Sequence, residues 1–595
     1  MKAPQALIVC LCVLTLCLTA IYVTGRLTAP RSGGPAPAGR RPEAVNRKQE
    51  AGSRKGPDAG LLPPAPDSPW AVGVASTMTK VFRDEPFRVP VAQQVEISLA
   101  RHEIEGIQLV VAARSQELRD VAVTMSPLRS ASAILPTADV TWNLVGYVET
   151  TGERPYWTDK VGFWPDPLLP PKPFSVGKGE TQPVWLNVAT APDTPPGLYQ
   201  GTVTLAPANA RPWQVELTVR VWDFTLARTG HLKTLCWMDP GPLLRFYGLE
   251  GMDSPGALDL FKRFAELSLR NRLGPGGTLG CGFSWAKPQW PVRKTDSGYD
   301  FSLADELLRF GFDRGMNCFL MAVIPNLKRT GWPSYSDAWK ADFRGFVTAY
   351  ARFLHEKGWE KAAHVYNFDE APRAYWDVVK QNYQMVKAID PRLRVIQCLN
   401  EPEGVRALAG FADTWDVYVQ QHEQAGAADR QAAGDEVWWA LCLYPKERPN
   451  LFVDYPAVDA RILGWLAWMH GIAGFEYWSI ISWGDENIKG ADGHKWPDVP
   501  WLTAKFAGDG YLCYPGPERK PLSSVRFENL RDGFEDYEYL WLLRDKLSRL
   551  SGATRAEAER LLQIGAPLAE SNVVYTDDPA VILERRAAIA RLLGE

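Results

Sequence analysis

The sequence predicts a multidomain protein: an N-terminal β-sandwich, then a (β/α)8 TIM-type barrel, then a helical C-terminal extension. Three observations carry this expectation. From Trp70 to about Arg228, short alternating strands follow one another with turn residues between them and no helical stretch. From Leu232 to Ile480, strand-like and helix-like segments alternate and give eight strand candidates, the count of a barrel. From Pro521 onward the apolar spacing is helical. A chain of 595 residues is in any case too long for one ordinary domain.

Residues 1–25 are expected to be a signal peptide or a single N-terminal anchor, because Lys2 precedes an apolar run from Ala6 to Val23. More basic residues follow that run (Arg26, Arg31, Arg40, Arg41) than precede it, which opposes export of what comes after. Residues 26–68 are rich in Pro, Ala and Gly and have the composition of a disordered spacer, which favours an extracytoplasmic location: secreted, periplasmic or membrane-anchored. Leu14-Thr-Leu-Cys17 is only loosely like a lipoprotein box.

Residues 69–228 form the predicted sandwich. Trp213-Gln-Val-Glu-Leu-Thr-Val-Arg-Val221 alternates, placing Val215, Leu217, Val219 and Val221 on one face. Pro195-Pro-Gly-Leu-Tyr-Gln-Gly201 is a turn that feeds a further strand, and Trp164-Pro-Asp-Pro-Leu-Leu-Pro170 is expected to be a Pro-rich loop. In the predicted barrel, residues 229–515, the strand candidates are Leu232–Met238, Arg272–Leu279, Asn317–Ile324, His364–Asp369, Arg394–Asn400, Thr414–Gln420, Val437–Leu443 and Gly474–Ile480. The second is the weakest, being rich in Gly and Pro. A doubly wound open sheet is the alternative, although no Gly-x-Gly-x-x-Gly follows an early strand. Residues 516–595 are expected to be helices packed on the barrel's outside.

Composition narrows function. A net charge of −3 gives no basic footprint for nucleic acid. Six cysteines outside the leader (Cys236, Cys281, Cys318, Cys398, Cys442, Cys513) are scattered without Cys-x-x-Cys spacing, as small buried hydrophobes would be. The histidines lack ligand spacing, and the Asp485–Asp498 loop, with Asp492, His494 and Asp498, lacks the acid spacing of a calcium loop, so neither a metal nor a cofactor is expected. The 24 Trp residues are an excess that suits a carbohydrate cleft, where indole faces cover the apolar C–H faces of sugars.

The chemistry points to Asp369-Glu370, in His364-Val-Tyr-Asn-Phe-Asp-Glu-Ala-Pro372. A strand alternates its side chains, so two neighbours face one ligand only where the strand ends. Acids at a helix start are commonly caps. At the C-terminal end of a barrel strand they are instead at the active end, and paired carboxylates with distinct roles are what glycoside hydrolysis needs.

Several segments together resemble glycoside hydrolase family 123: Trp164-Pro-Asp-Pro-Leu; Pro195-Pro-Gly-Leu-Tyr-Gln-Gly; Phe368-Asp-Glu-Ala-Pro; Arg461-Ile-Leu-Gly-Trp-Leu-Ala-Trp; Gly474-Phe-Glu-Tyr-Trp-Ser; Gly508-Asp-Gly-Tyr-Leu-Cys-Tyr-Pro-Gly516; and Leu530-Arg-Asp-Gly-Phe-Glu-Asp-Tyr-Glu-Tyr-Leu. The resemblance implies a β-N-acetylgalactosaminidase working by substrate-assisted retention on a glycan bearing N-acetylhexosamine. Asp369 would then orient the 2-acetamido group and stabilise the cationic intermediate, and Glu370 would be the general acid and base. Glu476 departs from the apolar residue expected in relatives and is a candidate for binding sugar hydroxyls or for altered specificity. Trp438, Trp439, Trp478 and Trp483 are candidate stacking residues, balanced against barrel packing, and Tyr366 and Asn367 are candidate neighbours of the acetamido group. Two alternatives stand beside this. Asn400-Glu401-Pro402 resembles the acid/base of retaining glycosidases, with Glu476 as a direct nucleophile, although both fall one strand late unless the second strand is false. The other is a non-catalytic glycan-binding protein on the same fold.

Overall fold

The structure is a computed structural model that describes residues 68–594, apart from 86–89, 92, 153, 285–286, 289, 325–334, 485–495, 497–500 and 504–505. The predicted leader or anchor, nearly all of the predicted spacer and most of the Asp485–Asp498 loop lie outside the described residues. Among the described residues no helix is long and apolar enough to cross a membrane.

The N-terminal region is two sheets over one apolar core. In one, Trp70–Ala75, Ile104–Ala113, Thr181–Ala189 and Val140–Thr150 pair in that order, all antiparallel. In the other, Gln94–Arg101, Trp213–Thr225, Gly197–Ala206 and Leu118–Met125 pair in that order. Val215, Leu217, Val219 and Val221 are all buried, as their alternation requires, and pack with Leu99, Val111 and Leu186 in a core drawn from both sheets. The Pro-rich stretch expected as a loop is instead a strand, Gly162–Leu169, antiparallel to Val140–Thr150. Prolines remove ladder donors, and this strand keeps to the sheet's edge with an irregularity at Val145–Tyr147.

Among the described residues, the C-terminal region is built on seven parallel strands: β1 (Lys233–Cys236), β2 (Phe319–Ile324), β3 (Ala363–Phe368), β4 (Arg394–Cys398), β5 (Thr414–Tyr418), β6 (Glu436–Leu441) and β7 (Gly474–Tyr477). Their order in the sheet is β1-β7-β6-β5-β4-β3-β2. Crossover helices include Ala257–Arg270, Asp337–Lys357 and Trp376–Ile389. The predicted second strand, Arg272–Leu279, is not a strand: Gly276–Leu279 is a single helical turn. That segment is pressed between β1 and β2, with the Cys236 N–H donating to Gly274 O at 2.7 Å. A Cβ on Gly276 would lie 2.3 Å from Cys318 O, and one on Gly277 2.7 Å from Cys236 O. Glycine lets backbone fill a gap too narrow for a side-chain-bearing strand.

Helices α1 (Val458–Met469), α2 (Val525–Lys546) and α3 (Pro579–Gly594) join the two regions. α2 is buried all round from Val525 to Leu540, charged residues included, because it lies between the parallel sheet, where Phe534 meets Phe475 at 5.5 Å, and the sandwich, where Glu528 accepts from Asn187 at 3.1 Å. It crosses α1 at a glycine pair, where a Cβ on Gly464 would meet Gly533 O at 1.8 Å. Backbones this close bring the charges into register. Arg461 of α1 holds Glu105 of the sandwich at 3.1 Å and Asp536 of α2 at 2.8 Å, and Arg586 of α3 holds Asp536 at 2.9 Å and also reaches Glu103. The strand Trp501–Thr503 also pairs with Val148–Thr150, so the later chain completes a sheet of the sandwich.

Candidate functional site

Along β3 the alternation is strict enough to sort its residues. Tyr366 faces the interior of the parallel sheet with Leu320, Ile396, Cys398 and Trp438. Asn367 points the other way, donating to Val379 O at 3.2 Å and accepting from Asn382 at 2.9 Å, both on the crossover helix. Asn367 therefore lies on the opposite face of the strand from an acetamido group bound in the interior, contrary to the expectation for it.

Asp369 extends the pairing by one residue, its N–H donating to Ile324 O at 2.9 Å. Glu370 then takes φ +47°, the left-handed region that non-glycine residues seldom occupy. That twist ends the strand's alternation and turns Glu370 inward. Its Oε1 accepts from Tyr418 OH, at the end of β5, at 3.0 Å, and Tyr418 also lies 3.0 Å from Asn400 Oδ1. Both acids are half-buried and belong to the C-terminal end of the sheet.

Below them is a deeper acidic layer. Asp416, inward on β5, accepts from Tyr366 OH at 3.3 Å, and its Oδ1 is buried without a hydrogen-bond partner. Burial first and the charge of Asp369 second outweigh that hydrogen bond and push the Asp416 carboxyl up to about 7. Glu476, inward on β7, accepts from Trp237 Nε1 at 3.0 Å, and burial followed by Asp416 and Asp369 pushes it well above the carboxylate range. The same burial and crowding of acids bias both carboxyls toward their neutral forms. Burial, with Cys398, Asp416, Asp369 and Glu476 around it, holds the Tyr366 phenol well above its ordinary value.

The four candidate tryptophans separate by face. Trp438 is fully buried in the sheet interior, with Gly474 beneath its ring. Trp439 is on the other face, donating to His422 Nδ1 at 3.1 Å under the helices. Trp483 is buried against Phe246, Phe264 and Trp501. These three indoles are packing residues in this structure. Trp478 alone reaches solvent, 37% exposed, with Nε1 donating to Asp509 at 3.0 Å. Glu401 is on a partly exposed turn with Arg373 at 3.9 Å.

Sequence reasoning missed Asp416, Tyr418 and Trp237. An acid set between Trp415 and Val417 in the Thr414–Tyr418 strand was the available signal, since such a residue stays only where something offsets its burial. Among the described residues, no group of three or more His, Cys, Asp or Glu side chains is arranged to hold a metal ion.

Adjacent acids at the C-terminal end of a parallel βα sheet, over a buried acidic layer, are the apparatus of a glycosidase. The family comparison agrees. The model described as glycoside hydrolase 123, catalytic domain, matches residues 321–543, and that described as glycoside hydrolase 123 N-terminal domain matches 75–207, together more than half the chain. The chain belongs to glycoside hydrolase family 123. Among solved structures, a family 123 glycoside hydrolase from Clostridium perfringens, studied for glycolipid glycan hydrolysis, is 15% identical, with a TM-score of 0.65 over 89% of this chain and 97% of that one. A GH5 xyloglucanase from Bacteroides ovatus is 10% identical with a TM-score of 0.31, covering 78% of this chain and 100% of that one. No curated protein matches the sequence significantly.

Proposed function

We propose that this protein removes a β-linked N-acetylhexosamine, N-acetylgalactosamine in the first place, from a glycan by substrate-assisted retention, and that it acts outside the cytoplasm. The observation that carries the reading is the pair at the end of β3: Asp369 in line with the strand and Glu370 turned beside it onto Tyr418. The substrate's acetamido oxygen attacks the anomeric carbon and the bond to the leaving oxygen breaks. Glu370 gives that oxygen its proton, becomes a carboxylate, and then takes a proton from the water that opens the cyclic intermediate. Asp369 keeps the acetamido group oriented and offsets its positive charge. The bias of Glu476 toward its neutral form supports this, because it limits the negative charge beneath the pair. The segment after β1 takes the place of a second strand in this reading, which makes the sheet a modified (β/α)8 barrel. The glycolipid glycans of the Clostridium perfringens relative are one source of such a substrate.

A two-carboxylate mechanism with Glu476 as nucleophile and Glu401 as acid/base needs Glu476 ionised, which its burial and its two acidic neighbours oppose. The test is the full chain on aryl β-GalNAc, β-GlcNAc and β-galactoside, beside Asp369→Asn and Glu370→Gln. Turnover of an N-acetyl sugar only, lost by 10²-fold or more in both variants, is expected from roughly the size of such catalytic contributions. Turnover of the plain galactoside with Asp369→Asn unaffected would sink the reading. Binding without turnover on all three would favour a lectin-like protein.

A further inference from the structure

Among the described residues, the large aromatic side chains most exposed to solvent are Trp157 (74%), Tyr444 (52%) and Trp478 (37%). Trp478 belongs to the site already described. Trp157 comes from the sandwich, on the connection from Val140–Thr150 to Gly162–Leu169, and Tyr444 from the loop after β6. We propose that Trp157 and Tyr444 form a platform for the sugar on the leaving-group side of the cleaved bond, so that the sandwich supplies part of the substrate site.

The Trp157 loop is fastened on both sides of the indole. Arg154 pairs with Asp454 at 3.2 Å, both side chains buried. Tyr156 OH donates to Asp454 Oδ1 at 2.9 Å and accepts from Ala507 N at 3.1 Å, and the Tyr156 ring stacks on Phe452 at 4.5 Å. Thr158 Oγ1 donates to Asp454 O at 3.4 Å. A loop tied down at 154, 156 and 158 that still holds an indole out to water is preorganised for an apolar, flat ligand. Its immediate neighbour is the loop that carries Tyr444: Lys446 Nζ donates to Pro155 O at 3.1 Å.

That second loop runs back to Glu370. Cys442 Sγ donates to Tyr444 O at 3.0 Å. Burial, then the charge of Asp509, and further down that of Glu370, raise the Cys442 thiol, which places it within reach of the acid's field. Gln420, two residues past the Tyr418 that holds Glu370, donates to Glu447 O and Pro449 O at 2.7 Å. The chain of contacts therefore goes from Glu370 through Tyr418 and Cys442 to Tyr444, and from Lys446 to the Trp157 loop. Glu370 is the residue that protonates the leaving oxygen in the proposed reaction, so the loops tied to it through Tyr418 and Cys442 are assigned to the departing sugar rather than the one attacked. A pyranose presents apolar C–H faces of matching size. The inference rests on the proposed role of Glu370.

The test compares two substrates of the full chain: an N-acetylhexosaminyl fluoride, whose leaving group has no ring, and an N-acetylhexosaminyl-β-galactoside disaccharide. Trp157→Ala should lower kcat/KM on the disaccharide by roughly tenfold, from the usual worth of one aromatic contact. Trp157→Phe should restore most of it, and the fluoride should be unaffected. Equal losses on both substrates, or none on the disaccharide, would overturn the platform. The same disaccharide carrying a dodecyl tail separates sugar from lipid recognition: a loss confined to the tailed substrate would also overturn it. Calorimetric binding of the untailed disaccharide to the Glu370→Gln chain needs no turnover. Weaker binding on adding Trp157→Ala supports the platform even if the hydrolytic reading fails, and unchanged affinity refutes it even if that reading holds.

Discussion

Asp416→Asn should change how stability depends on pH, and the size follows from where the carboxyl sits. An ordinary Asp has a value of 3.8, and burial beside Asp369 raises Asp416 to about 7. The sign follows from which state holds the proton. Below about 4 both folded and unfolded chains carry it, and its contribution to stability is complete. Between 4 and 7 the unfolded chain ionises while the folded one does not, so stability falls as pH rises, and above 7 the loss is finished. Each pH unit is worth about 1.4 kcal/mol, so the ionised form costs on the order of 4 kcal/mol at pH 8 and roughly 1.5 kcal/mol at pH 5. Asparagine has the same shape, still accepts from Tyr366 OH, and never ionises. Its amide faces the unpartnered Oδ1 position, a pH-independent cost of about 1–3 kcal/mol. The informative quantity is thus the change between pH values: the variant should gain roughly 2–3 kcal/mol on the wild type from pH 5 to pH 8. Urea unfolding followed by tryptophan fluorescence reads this, since Trp438 is in register with Asp416 and Trp237 hydrogen-bonds its acidic neighbour. Parallel pH profiles for the two proteins would refute a buried, proton-holding Asp416.

Two further outcomes test the acidic layer and the join between regions. Glu476→Gln should leave kcat/KM at pH 7 within about threefold, because burial among acids biases the glutamate toward the neutral form that glutamine mimics; a drop of roughly 10³ or more would restore an ionised nucleophile and the two-carboxylate mechanism. Gly464→Ala should destabilise by about 3 kcal/mol or more, since its Cβ would sit 1.8 Å from Gly533 O, whereas Gly345→Ala, on a helix with its nearest neighbour 3.8 Å away, should stabilise by about 0.5–1 kcal/mol; equal melting shifts would remove the glycine contact as the reason for the crossing.

What the sequence disclosed depended on whether the controlling contact was local. Alternation placed Val215 to Val221, and strand ends placed Asp369 and Glu370, because each depends on a period the residues themselves display. Gly274-Pro-Gly-Gly277 was misleading because its conformation is set by the carbonyls of Cys236 and Cys318, far away in sequence. Trp164–Leu168 had the proline content of a loop but the position of an edge strand. The tryptophans could not be sorted without knowing the face: Trp438 and Trp439 are neighbours in sequence and lie on opposite sides of β6. Asp416 and Tyr418 escaped notice because their partners, Tyr366 and Glu370, belong to another strand. The family-like motifs around Arg461 and Leu530 proved to carry the crossing of α1 and α2, so they report architecture more than chemistry.

The charged join has a consequence for how the chain is made. Glu103 and Glu105 leave the ribosome early, but the cations that neutralise them are Arg461 and Arg586, 356 and 483 residues further along the chain. At ~5–20 residues per second, the interval between Thr225 and Arg586 is on the order of 20–70 s. Throughout that time the nascent sandwich must keep those two carboxylates in water, so the face that ends up sealed stays wet and open. Translation itself therefore delays the docking, and α3, the latest of the three joining helices to emerge, is the one that dries the interface.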